Sequence, residues 1–290
     1  MTYTLQNQSL QVTIRDQGAE LISLVNRQTN TEHLWQADPD VWPWHAPNLF
    51  PVVGGQANDK ILVNGKTYPM KRHGFARTSK FSFTEIGPDF VTLELRSSET
   101  TRAVYPYEFI FKITHTLNGP VLSVAYAITN RGTEPMFMSM GAHPAFNVPF
   151  NKGEAYTDYY LDFKDDEVLT ASLLGTDGLL NGETTQIELT NRQLPLTPAL
   201  FANDALVLLS LQSRRVTLRG RKNEQTIRLD FADFPYLGLW AKPGAPFVCI
   251  EPWLGVADTS SDPRLFAQKQ GIQQVAPAKS FVATYSITVE

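Results

Sequence analysis

The chain has 290 residues, a formal net charge of −4 and a single cysteine. Apolar residues make up 42% and charged residues 19%, below the ~25% charged content of an average soluble domain; a sizeable core is affordable, and a disordered or highly charged binding chain is excluded. The mild acidity and the lack of a basic stripe exclude nucleic acid as the main partner, because binding it requires cations that neutralise phosphates.

Cys249 has no second cysteine to pair with and no neighbours in sequence that would make a zinc site, which fits a reducing cytoplasm. Residues Met1 to Gln8 lack the basic start and apolar run of a signal peptide. No apolar run approaches the ~20 residues needed to span a bilayer, so no membrane partner is expected and the location expected is cytoplasmic.

In chain order, the first predicted strand carries Leu10, Val12 and Ile14 in alternation with Gln11, Thr13 and Arg15. Phe109, Phe111 and Ile113 repeat that alternation. Asn118-Gly119-Pro120 then turns the chain into Val121 to Tyr126, giving a β-hairpin. Ala205 to Leu209 reads as a buried strand. Val216 to Leu218 and Thr226 to Phe231, joined by a polar stretch through Asn223, form a second hairpin. Phe247 to Ile250 is an apolar strand that delivers Glu251 at its end, where Pro252 stops the pairing. Asp262 to Gln270 is the best short helix candidate, with Asp262-Pro263 suited to its start. Phe281 to Val289 alternates again and reads as a closing strand.

Nineteen prolines and eighteen glycines punctuate the chain, and helical periodicity is nearly absent. Many short strands with Gly and Pro turns predict an all-β, antiparallel sandwich or barrel. No repeat, linker or composition break appears, so residues 1–290 read as one domain.

The sequence lacks a P-loop, a dinucleotide glycine fingerprint, an HExxH helix and a Gly-x-Ser-x-Gly elbow. Its histidines, at 33, 45, 73, 115 and 143, show no close metal-ligand spacing. No metal and no cofactor are expected, and any chemistry must run on side-chain acids and bases. Three segments look unlike ordinary strands: Lys71-Arg72-His73-Gly74-Phe75-Ala76-Arg77, Met140-Gly141-Ala142-His143-Pro144-Ala145-Phe146, and Cys249-Ile250-Glu251-Pro252-Trp253-Leu254-Gly255. Each sets an ionisable residue beside Gly or Pro and an aromatic. A carboxylate among apolar residues has a raised pKa, which suits a general base.

Each residue also has a purely structural reading. His73 could cap a turn, and His143 could be a satisfied core residue. Glu251 could pair with a buried arginine, and Arg72 and Arg77 could be solvated charges. Of the five tryptophans, at most two are expected at a site, with Trp253 first and Trp42-Pro43-Trp44-His45 second, since most large aromatics in sandwiches are core.

Together the segments resemble the aldose 1-epimerase (galactose mutarotase) family, nearest its LacX-like and hexose-6-phosphate-epimerase-like branch. The marks are Asn48-Leu49-Phe50-Pro51, His73-Gly74-Phe75-Ala76-Arg77, His143-Pro144-Ala145-Phe146 and Glu251-Pro252-Trp253, with a looser Val275-Ala276-Pro277-Ala278 before the last strand. The resemblance implies a large twisted β-sandwich that binds a sugar or sugar phosphate, as a monomer or homodimer. It implies that His143 is the acid that protonates the ring oxygen and Glu251 the base that takes the anomeric proton. It assigns His73 and Arg77 to the sugar, and Asp204, in Phe201-Ala202-Asn203-Asp204, to a more loosely matched contact. Trp253 and Arg72 are added from their positions beside these groups.

Galactose enzymes of the family carry Gly-Arg-x-Ala-Asn-Arg where this chain has Gly54-Gly55-Gln56-Ala57-Asn58-Asp59. Both arginines are gone, which argues against galactose. Lys71, Arg72 and Arg77 lie close together, and guanidinium forks suit phosphate. Two other functions compete. A non-catalytic carbohydrate-binding protein would not need an acid and a base. A glycoside hydrolase usually needs two carboxylates flanking the bond, and Glu251 is the one convincing candidate.

Overall fold

The computed structural model describes residues 1–259 and 265–290. Two large antiparallel sheets dominate. The first has nine strands in the order Gln193–Pro195, Tyr159–Phe163, Arg215–Gly220, Thr226–Asp230, Ser280–Val289, Val121–Asn130, Phe109–Asn118, Phe90–Arg96, Ser82–Ile86. The second runs Leu180–Glu188, Val168–Leu174, Leu206–Leu208, Tyr236–Trp240, Phe247–Leu254, Met140–Ala142, Asn48–Leu49, and Ala145–Asn147 also pairs with Phe247–Leu254. A four-stranded sheet formed by Thr2–Gln6, Leu10–Arg15, Leu21–Asn26 and Thr31–Glu32 joins them. The fold is thus an all-β antiparallel sandwich, as the alternation and the resemblance together lead one to expect.

Alternation explains the layers. Along Phe109–Asn118 and Val121–Asn130 every second side chain is buried. Phe109, Phe111, Ile113, Leu122, Val124 and Ile128 are at most 1% exposed, and each such burial contributes about 1.5–3 kcal/mol before the entropy of ordering is counted. These residues join one contiguous cluster running from Leu5 to Val289. Leu237, Leu239, Val248 and Ile250 of the second sheet belong to it. Their neighbours Gly238, Trp240, Glu251 and Trp253 are carried by the same strands with the opposite pleat. A smaller apolar cluster of Leu49, Val53, Leu180, Val207, Trp253, Val256 and Ala257 supports that second face.

Both predicted hairpins form, with Asn118↔Val121 closing the first and Arg219↔Thr226 the second. The helix expected from Asp262 falls partly on residues 260–264, outside the described residues; beyond them Phe266–Gln268 is a single 3₁₀ turn. One α-helical turn not anticipated, Glu99–Arg102, is capped by Ser98, whose hydroxyl accepts from Thr101 N while Thr101 Oγ1 accepts from Ser98 N. Among the described residues no helix is long and apolar enough to cross a membrane.

Pro252 does not end its strand. Phe247–Leu254 continues through it, pairing Leu237↔Pro252 and Tyr236↔Trp253 on one side. On the other side the strand faces Ala145–Asn147 and then Met140–Ala142, with a break between them at His143-Pro144. Ile250 N donates to Pro144 O across that edge. N–H groups two residues apart point to the same edge, so the donor Pro252 lacks faces the break. Glu251 therefore sits inside a central strand, directly opposite Gly238 on its continuous edge.

Candidate active site

The break at His143-Pro144 opens the floor of a cavity of about 410 Å³. Arg72, His73, Arg77, His143, Asp204, Glu251 and Trp253 all line it. They come from four separate stretches of sequence that the fold brings together.

His73 is placed by the backbone. Phe50 O accepts from both Phe75 N and Ala76 N, at 3.0 and 3.1 Å. Gly74 has φ +70, and a Cβ there would lie 2.2 Å from Phe50 O, so only glycine permits this close approach. His73 itself adopts φ +66, a left-handed conformation costing roughly 1–2 kcal/mol. Two bonds to one residue hold it: His73 N donates to Gly54 O at 3.1 Å, and Gly54 N donates to His73 Nδ1 at 3.2 Å. Since Nδ1 accepts, the neutral ring carries its proton on Nε2. His73 thus does cap a turn, and the same bonds leave its ring edge-on to His143, with centroids 5.6 Å apart.

His143 is boxed by aromatics. Trp42 stacks on it at 5.0 Å and 28°, and Trp240 meets it edge-on at 6.0 Å. The Trp42 loop is itself tied down, because Trp35 Nε1 and Lys242 Nζ donate to Trp42 O and Val41 O. His143 Nε2 lies 3.1 Å from Glu251 Oε2. Glu251 therefore pairs with a histidine, not with a buried arginine. The contact lacks hydrogen-bond alignment, and His143 Nδ1, Glu251 Oε2 and Trp253 Nε1 are buried without a hydrogen-bond partner.

Burial pushes the His143 imidazole down to about 3, with the Arg77 charge adding to the effect. Burial also pushes the Glu251 carboxyl well above the usual carboxylate range; the Asp204 charge reinforces this and the Trp253 indole opposes it. His73 is held well below the usual imidazole range by burial, then by His143, Arg77 and Arg72. The site favours neutral forms of all three groups.

Three tryptophans line the cavity, Trp42, Trp240 and Trp253, against an expectation of at most two. Trp253 lies flat across the sheet because its neighbours lack side chains. A Cβ on Gly141 would sit 2.6 Å from its ring, and one on Gly238 2.5 Å. Trp44 is outside the cavity lining, with the Arg77 guanidinium over its ring at 5.3 Å.

Arg72 and Arg77 are not free surface charges. Arg77 Nη2 donates to Arg72 O at 3.0 Å, and burial and the Arg72 charge lower the Arg77 pKa. The Arg72 guanidinium lies against Gly178, where any Cβ would overlap it. Gly55, where the sequence resemblance leads one to expect an arginine, packs under Gly178 and Leu179, each of which would lie 2.9 Å from an added Cβ. A guanidinium thus reaches this wall from Arg72 instead. Neither arginine has a carboxylate partner among the described residues. Asp204, at φ +77, accepts from Ala205 N and faces the same cavity.

A clamp invisible in the sequence steadies the Gly54–Ala57 loop. Asp258 N donates to Gly55 O, and Asp258 Oδ2 accepts from Ala57 N, both at 2.9 Å. Asp258 Oδ1 pairs with Lys269 Nζ, which also donates to Gln56 Oε1. The Lys269 and Asp258 side chains are only 7% and 9% exposed. Asp258→Ala removes the acceptor of both Ala57 N and Lys269 Nζ, so it is expected to cost about 3 kcal/mol of unfolding free energy. Urea denaturation checks this; a loss under about 1 kcal/mol would show that the clamp carries no such strain.

The sequence matches the family model described as aldose 1-epimerase over residues 1–263. It is 36% identical over 302 aligned positions to protein LacX, plasmid, of Lactococcus lactis subsp. lactis, covering 100% of this chain and 99% of that protein. Among solved structures, a galactose mutarotase related enzyme from Lactobacillus acidophilus superposes with a TM-score of 0.94 at 34% identity, covering 100% of this chain and 97% of that one. A galactose mutarotase-like protein from Lactobacillus casei also gives 0.94, at 31% identity and with 100% of each chain covered. The chain belongs to the aldose 1-epimerase family.

Proposed function

We propose that this protein is a mutarotase that interconverts the α and β anomers of an aldohexose or hexose 6-phosphate. The observation that carries the reading is the direct approach of His143 Nε2 to Glu251 Oε2, 3.1 Å, on the floor of the one cavity that also holds His73, Arg77 and Asp204.

The free site favours a neutral imidazole beside a protonated carboxyl, so the pair holds one proton. Moving that proton from Oε2 to Nε2 gives a carboxylate and an imidazolium. A sugar seated between them meets a base at its anomeric hydroxyl and an acid at its ring oxygen. Glu251 takes the hydroxyl proton, His143 gives its proton to the ring oxygen, the C1–ring-oxygen bond breaks and a C1 carbonyl forms. The pair is then back in its neutral form. Rotation about C1–C2 and the reverse transfers close the other anomer. Apo contacts of this kind are often poorly aligned and tighten only on the substrate. Three indole rings offer apolar faces to the pyranose.

Arg72 and Arg77 favour a phosphorylated hexose, because two guanidiniums without carboxylate partners among the described residues leave one wall of the cavity positive. Arg77→Ala is therefore expected to raise KM for a hexose 6-phosphate about 10–100-fold, the size of a lost charged hydrogen bond, and to move KM for the free hexose less than about 3-fold. Polarimetric rates on the two sugars check this. An equal change on both would remove the phosphate from the proposal and leave a free hexose as substrate. Binding without any acceleration of either sugar would instead favour a carbohydrate-binding protein on this scaffold.

A further inference from the structure

We propose that the cavity floor is also a binding site for one soft divalent cation of the zinc type, formed by His143, Cys249 and Glu251. Each contributes one ligand atom, and all three atoms lie within 4.8 Å of one another. A point within about 2.8 Å of all three therefore exists, and reaching the ~2.0–2.3 Å of zinc bonds to nitrogen, oxygen and sulfur asks each side chain to move by about 0.5–0.8 Å.

The sequence hides this site. Cys249 and Glu251 alternate onto the same face of one strand, but His143 lies on the break between two other strands and reaches them only through the sheet. Two polar atoms of these residues, His143 Nδ1 and Glu251 Oε2, are buried and lack hydrogen bonds in the free protein, with the residues 7% and 1% exposed. Cys249 is fully buried and free of any disulfide. A thiolate, an imidazole and a carboxylate are a donor set that suits zinc over magnesium or calcium. On binding, the Cys249 thiol proton and the Glu251 carboxyl proton both leave to solvent. The thiolate and carboxylate then cancel the two charges of the ion, so no net charge is buried. The fourth position opens to the cavity, as in sites that keep a place for water or a sugar hydroxyl.

Occupation would engage both residues assigned to proton transfer, so zinc would block anomer exchange. That consequence rests on the mutarotase reading; the binding itself does not. The test is titration of the metal-stripped full chain with Co²⁺, read by the thiolate-to-cobalt charge-transfer band, followed by displacement with Zn²⁺. One ion per chain is expected. Loss of a group that only hydrogen-bonds to a metal ligand costs ~10–100-fold in metal affinity, so Cys249→Ala, which removes a direct ligand, is expected to lose the band and weaken Zn²⁺ binding by about 100-fold or more. Glu251→Gln should weaken binding comparably and serves if Cys249→Ala does not fold. In activity assays, Cys249→Ala should keep the basal rate while becoming insensitive to Zn²⁺ that arrests the wild type. No charge-transfer band in the wild type, or unchanged Zn²⁺ affinity in both variants, would overturn the proposal. A wild type that binds the ion but exchanges no anomers would count against the mutarotase reading alone.

Discussion

Glu251→Gln is expected to slow anomer exchange by about 10²–10⁴-fold, the usual contribution of one positioned acid–base group. The variant keeps the volume of the side chain and its neighbours Gly238 and Trp253, so the fold and sugar affinity should persist. The loss should therefore fall on kcat and leave KM within a few-fold. His143→Asn is expected to give a loss of the same order. The two residues hand over one proton across a 3.1 Å contact, so the double variant should lose little more than either single one. A multiplicative double loss would mean that the two act independently.

Acidification is expected to unfold this protein well above the carboxylate range. Burial holds His33 and His45 at about 4, His115 and His143 at about 3, and His73 well below the ordinary imidazole range. Each folded value is depressed below the unfolded value of about 6.5. The unfolded chain thus binds more protons, and stability rises with pH. The stability these residues supply is complete above about pH 6.5 and is lost as pH falls toward 3–4. Each costs up to about 1.4 kcal/mol per pH unit in that window. Glu20 and Glu251, raised by burial, act in the opposite direction, but they are two against five. A net loss of several kcal/mol by pH 5 is comparable to the ~5–15 kcal/mol stability of a typical domain. Urea denaturation at pH 7, 6 and 5 measures it. His115→Leu, in the buried row with Ile113 and Leu117, should flatten the slope by about one histidine's share. Equal stability at pH 7 and pH 5 would contradict this electrostatic reading.

The strands were legible because their side chains alternate, and because Asn118-Gly119 signals its own turn. Sheet order was not, since nothing local says that Ser280–Val289 lies beside both Thr226–Asp230 and Val121–Asn130. Reading Pro252 as a strand end failed for a geometric reason: a missing N–H costs nothing where the neighbouring strand is interrupted, and that interruption, His143-Pro144, is over a hundred residues away in sequence. The site residues could be named because ionisable groups flanked by Gly, Pro and aromatics stand out from alternating sequence. Their neighbours could not. Trp240 looks like any strand aromatic, and the Lys269–Asp258 clamp reaches Gln56 and Ala57 across about two hundred residues. The proximity of Cys249 to His143 was hidden in the same way.

The most direct test of the account is NMR exchange spectroscopy of the α and β anomeric protons of an aldohexose and of its 6-phosphate, with the wild-type protein at neutral pH. Cross-peaks between the anomers are expected to appear at rates far above the uncatalysed ones for at least one of these sugars, and to vanish with Glu251→Gln. Exchange no faster than in buffer for both sugars, or undiminished in Glu251→Gln, would contradict it.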